Sequence, residues 1–186
     1  LFFIFINSQI NKDTVFIKNE IDNKIFIEKN RNSNYYNHLI DFKDFDIYNN
    51  YEISKLGLPL KWIRIHKYNN SYILYAPCDW IYATKIAINN KNFQIKGAEI
   101  YTFKIKKVKK KDDTVIFKYK SSLFKRKSYL KIEPIDKQLG IYKFSMSDDS
   151  LGASEYIMVD ITKYKKFDII VNNCINYKQA EFSFSK

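Results

Sequence analysis

The chain has 186 residues, with 32 Lys+Arg against 20 Asp+Glu and a formal charge of +12. At 46% hydrophobic and 17% aromatic it has enough apolar surface to offset chain entropy, which excludes a disordered polymer. Four Gly and three Pro exclude collagen-like and glycine-loop architectures, and the length suits one domain. Fifteen Phe, fifteen Tyr and many Ile are residues that favour strands. Asn, Lys, Ile and Tyr are used as an AT-rich genome uses them, so part of the positive charge is compositional.

In chain order, Leu1-Phe2-Phe3-Ile4-Phe5-Ile6 is an apolar run closed by Asn7-Ser8. It reads either as the end of a secretory leader, with residues 1–8 its remnant, or as a buried strand. It is too short to span a bilayer, and no other window approaches the length of a transmembrane helix. Thr14–Lys18 and Lys24–Glu28 pattern as a hairpin, and Asn30–Asn34 is a polar break. A short helix is expected within 33–57, ending near Gly57. Trp62–His66 and Tyr72–Tyr75 form a second hairpin around Asn69-Asn70-Ser71. Residues 9–77 thus read as an N-terminal extension packed on the main body.

Eight segments with strand character follow, at about 80–88, 98–107, 114–121, 128–133, 139–146, 155–161, 167–172 and 179–185. Tyr101, Phe103 and Ile105 alternate with Thr102, Lys104 and Lys106, and Phe117 and Tyr119 alternate with Lys118 and Lys120. Breaks such as Lys111-Asp112-Asp113 suit tight turns. The fold expected is all-β: an eight-stranded antiparallel up-and-down barrel over 78–186, which leaves no exposed edge. Eight strands leave room for one small ligand or for a core of side chains.

This pattern resembles a divergent lipocalin. That family opens its first strand with Gly-x-Trp, and Cys78-Asp79-Trp80-Ile81-Tyr82 is similar, with cysteine in the glycine's place. Asp160-Ile161-Thr162-Lys163-Tyr164 resembles the family's turn between strands six and seven. Lys186 stands where the family's Arg packs on the first-strand Trp, without the planar stacking of a guanidinium. The resemblance implies a closed end built from Trp80, Thr162, Tyr164 and Lys186. It also implies a ligand lining of Tyr101, Phe103, Phe117, Tyr119, Phe182 and Phe184.

The function it implies is a carrier, secreted or held in a secretory-pathway lumen (extracellular or vacuolar). The ligand would be a small hydrophobic molecule such as a fatty acid or tetrapyrrole, and self-association into a homo-oligomer is a further expected partnership. The alternative is a basic β-domain whose Lys104–Lys111, Lys118, Lys120, Lys125, Arg126, Lys127 and Lys131 bind nucleic acid or an anionic surface. Alternation puts these lysines on the solvent side of strands, where they also discourage edge pairing, so nucleic acid is the less favoured partner. No enzyme, metal or cofactor is expected: His38 and His66 are the only histidines and neither has a ligand's or base's spacing. In the barrel register Cys78 and Cys174 fall near opposite ends of a strand, roughly 20 Å apart. A bridge needs about 5.5 Å between Cα atoms. Either the register is wrong near one cysteine and they form the disulfide usual in a secretory compartment, or, the reading favoured, both thiols are free.

Overall fold

The strand signals become twelve β-strands and two short helices in the computed structural model, which describes residues 14–20, 23–45, 55–79, 83–97, 99–120, 127–148, 152–174 and 180–184. The leader-like segment 1–8, Trp80 and Lys186 lie outside the described residues. Seven strands follow one another as an antiparallel meander: β5 (Lys85–Ile88), β6 (Asn92–Lys96), β7 (Ile100–Lys111), β8 (Thr114–Lys120), β9 (Lys127–Asp136), β10 (Ile141–Asp148) and β11 (Gly152–Asp160). An eighth, β3 (Lys61–Tyr68), closes them. Its Trp62 pairs with Ile86 of β5 on one side and with Asp160 of β11 on the other. The result is the expected closed antiparallel barrel of eight strands.

Its composition differs from the expectation at both ends. The first strand carries Trp62 rather than Trp80, so residues 61–64 belong to the barrel instead of to an extension. β4 (Ser71–Ala76) follows β3 through Asn69 and Asn70, both at positive φ, as a two-residue hairpin turn requires. β4 then leaves the barrel, so counting strands along the chain overshoots by one. β6 was absent from the expected set: Asn89 turns the chain there, its Oδ1 accepting from Lys91 N (2.9 Å) and Asn92 N (2.7 Å). The expected strand at 179–185 does not form within the described residues 180–184.

A second sheet grows from the other half of β3. It runs β1 (Val15–Asn19), β2 (Asn23–Glu28), β12 (Ile169–Cys174), β4 and β3, with β12 parallel to β4. One core fills the barrel around Trp62, Phe93, Phe117, Phe144 and Leu130. Another lies between the barrel wall and the second sheet, where Ile63, Ile65 and Leu74 meet helix α1 (Asn34–Leu39) through Tyr36 and Leu39. The chain before β3 plugs one barrel end. Leu58 is buried there, Leu60 O accepts from Ile88 N (2.9 Å), and Leu56 O accepts from Lys110 Nζ (2.9 Å).

The two cysteines are bonded, with Cα atoms 5.5 Å apart, which corrects the expectation of free thiols. That expectation placed β12 among the barrel strands. Because β12 lies parallel to β4, their C-terminal ends come together, and Cys78 and Cys174 stand at those ends. The bond closes a 96-residue separation, enough for about 2–5 kcal/mol of stabilisation. The unreduced protein should therefore weigh two hydrogens less than the reduced one. Cys78→Ser should lose stability in that range by denaturant titration.

Candidate functional site

The inward face of the barrel is set by strand alternation. On β8, Val115, Phe117 and Tyr119 are buried while Lys118 and Lys120 are exposed. Phe103 of β7 stacks on Phe93 (centroids 4.8 Å), and Tyr119 meets both edge-on at 4.9 and 5.1 Å. Below them Trp62 packs edge-on against Tyr142 (4.7 Å) and Phe144 (5.0 Å). Three of the expected lining residues, Phe103, Phe117 and Tyr119, are thus brought together inside. Tyr101 shares their strand alternation, but near the start of β7 it is 50% exposed, at the rim.

Phe182 and Phe184 are elsewhere, which corrects their placement in the lining. They pack on the outer face of the second sheet, against Tyr68, Tyr75 and His66. Their segment pairs with no strand and is held by side chains. Glu181 accepts from Tyr75 OH (2.5 Å), Cys78 N (3.2 Å) and Asp79 N (3.0 Å), and Tyr75 OH accepts from Phe182 N (2.8 Å). Burial, then the Glu181 contact, pushes the Tyr75 phenol up.

Thr162 and Tyr164 do stand at the plugged end, though after the eighth barrel strand rather than between the sixth and seventh. They lie in a 3₁₀ helix (Ile161–Lys166) begun by Asp160, which accepts from Thr162 N (2.9 Å) and Thr162 Oγ1 (2.7 Å). Tyr164 turns away from the barrel interior towards Tyr36, 6.1 Å between centroids.

One face of β3 links these regions. Trp62 points into the barrel, Arg64 follows two residues on, and His66 continues onto the second sheet under Phe184, stacked at 4.0 Å. Trp62 is fully buried, and its Nε1 has no hydrogen-bond acceptor among the described residues. Arg64 is partly buried beside Met158 of β11, and its guanidinium lies 5.3 Å from the Tyr156 ring centroid. None of the ion pairs among the described residues involves it. Burial lowers its pKa, with Tyr156 opposing, and an arginine remains charged at neutral pH. β3 runs from the plugged end at Lys61 towards the other end, so Arg64 sits at the mouth side of Trp62.

Arg64 is not among the site residues expected from the sequence. The signal was there: it is one of three arginines in a lysine-rich chain, and it stands between Ile63 and Ile65 on an apolar strand.

Lys85 is buried and could suggest chemistry, but its Nζ is committed. It donates to His38 O (3.0 Å) and Asp41 O (2.8 Å), tying the end of α1 to β5. Burial, with Lys96 adding repulsion, pushes it down to about 8. No group of three or more metal-ligating side chains occurs among the described residues. No protein-family model, curated protein or solved structure matches the chain.

Two outcomes follow from this geometry. Phe117→Asp should cost at least about 3 kcal/mol, because it replaces a fully buried ring with an unpaired charge. Lys118→Asp should stay within about 0.5 kcal/mol, since it faces water opposite Lys107. Chemical denaturation of both proteins separates the faces. The second outcome concerns acid. Burial, then the Arg64 charge, pushes His66 down to about 4 in the folded state, from 6.5. Below pH 6.5 the unfolded chain takes up a proton that the folded one refuses, so stability present above 6.5 is lost as pH falls towards 4. The loss should reach up to about 3 kcal/mol and shrink in His66→Phe, measured by denaturation between those pH values.

Proposed function

We propose that the protein is a lipocalin-like carrier whose barrel takes a small apolar ligand bearing an acidic head. The observation that carries this is Arg64: a partly buried cation on the inward face of the first strand, over an aromatic ring, in none of the ion pairs among the described residues. A charge held in such a place at a desolvation cost is stabilised by an anion that arrives with the ligand. The Phe93, Phe103 and Tyr119 cluster, itself buried, is the apolar layer next to the mouth that would part around the ligand, and Tyr101 forms part of the rim. The deeper layer of Trp62, Phe117 and Phe144 is fully buried and acts as a floor.

The lipocalin reading is supported by a closed antiparallel barrel of eight strands, a Trp on its first strand and a plugged end. Leu60, two residues before Trp62, stands where the family has glycine. Fatty acids and tetrapyrroles both join an apolar body to a carboxylate, so Arg64 suits either class. The Cys78–Cys174 bond favours an oxidising compartment, in keeping with secretion or a secretory lumen.

Titration with a fluorescent fatty acid, followed by Trp emission, tests the reading. Uptake should be saturable, with micromolar or tighter affinity. Arg64→Gln should weaken the carboxylate probe about tenfold, the loss of one charge-assisted contact, while sparing a neutral apolar probe. If neither probe binds the parent protein, or if Arg64→Gln affects both equally, the proposal fails.

A further inference from the structure

The lysines of β7 and β8 form a charged face that neither the fold nor the barrel ligand accounts for. Direct cross-strand partners include Lys104 with Lys120 and Lys107 with Lys118, and Lys127 of β9 stands opposite Lys120. A bulge between Ile105 and Lys107 adds Lys106 to the exposed set. Lys104, Lys106, Lys107, Lys109, Lys118 and Lys120 are all exposed, and none joins an ion pair among the described residues. By contrast Lys131 and Lys143, one and two strands away, pair with Glu133 (2.7 Å) and Glu155 (2.6 Å). Like charges placed directly opposite on neighbouring strands destabilise a sheet. Edge protection does not explain Lys104, Lys118 and Lys120, each of which has a paired strand on both sides.

We infer that this face docks on an anionic lipid surface. A membrane neutralises several ammonium groups at once without requiring a fixed spacing, because lipid headgroups move to meet each charge. Tyr129, 43% exposed on β9 opposite Lys118, suits the headgroup layer, where tyrosine rings are favoured. Single-stranded nucleic acid fits less well. It calls for a groove and a run of stacking rings, whereas this face is the convex outside of a barrel with one exposed ring beside its opposed lysines. The inference stands apart from the ligand reading, since none of these lysines faces the barrel interior.

The test compares flotation of the full chain with vesicles of phosphatidylcholine alone and with about 30% phosphatidylserine, at low and high salt. The parent should bind only the anionic vesicles and release as salt rises. The fourfold variant Lys104→Gln/Lys107→Gln/Lys118→Gln/Lys120→Gln should lose at least about tenfold in partitioning. It should also unfold at higher denaturant, because the repulsion is relieved, and that gain distinguishes lost docking from lost folding. Lys163→Gln/Lys165→Gln/Lys166→Gln, which removes charge from the 3₁₀ helix, should leave vesicle binding little changed. Apolar-probe uptake should survive in the fourfold variant, so failure here is separable from failure of the carrier reading. No binding to anionic vesicles would overturn the inference, as would equal loss in the 3₁₀-helix variant. Tighter binding to oligothymidylate than to vesicles would also overturn it, by assigning the face to nucleic acid.

Discussion

β3 is shared by two sheets, and the rest of the molecule is arranged by how it divides. Its first residues are hydrogen-bonded between β5 and β11, which closes the barrel. From Ile65 onward the partner is β4, and through β4 the chain reaches β12, β2 and β1. A strand cannot satisfy three neighbours at one level, so β5 ends its pairing where β4 begins. Near that point lies Arg64, whose backbone N–H donates to Thr84 O (3.1 Å) just before β5 starts. The mouth of the barrel is therefore where the two sheets part.

This division gives each face of β3 a separate task. Ile63 and Ile65 face the core shared with α1, where Tyr36 OH donates to Phe167 O (2.8 Å) and anchors the helix to the approach of β12. Trp62, Arg64 and His66 occupy the other face, running from barrel floor to mouth to the aromatic cover of the second sheet. Arg64 and His66, the polar groups on that face, lie at the boundary between cores and stay partly exposed. The disulfide and Glu181 then fasten the C-terminal segment beside the same boundary. Charge on the β7–β8 exterior is separated from this region by the barrel wall.

Much of the barrel was legible in the sequence because its long strands alternate cleanly. Phe103, Phe117 and Tyr119 face inward and Lys118 and Lys120 outward, as their spacing implies. The first strand was not legible. Trp62 lies in a local hairpin, and only tertiary structure shows that its partner β4 departs for another sheet while β3 joins the barrel. The same feature misplaced β12, and with it the cysteines, since a parallel pairing of residues 74–76 with residues 169–171 leaves no local trace. Phe182-Ser183-Phe184 alternates like a strand, yet its ordering comes from Glu181 and Tyr75, a contact between residues 106 apart. β6 has only Phe93 and Ile95 as apolar markers, too few for periodicity to register.

The central claim is that β3 closes the barrel while serving the second sheet, and cross-strand nuclear Overhauser effects test it most directly. Backbone contacts from Trp62 to both Ile86 and Asp160, together with contacts from Ile65 to Leu74, are the predicted result. Contacts from Trp62 to only one of its two neighbours would show an open sheet. That would contradict the closed barrel and the placement of Arg64 at its mouth.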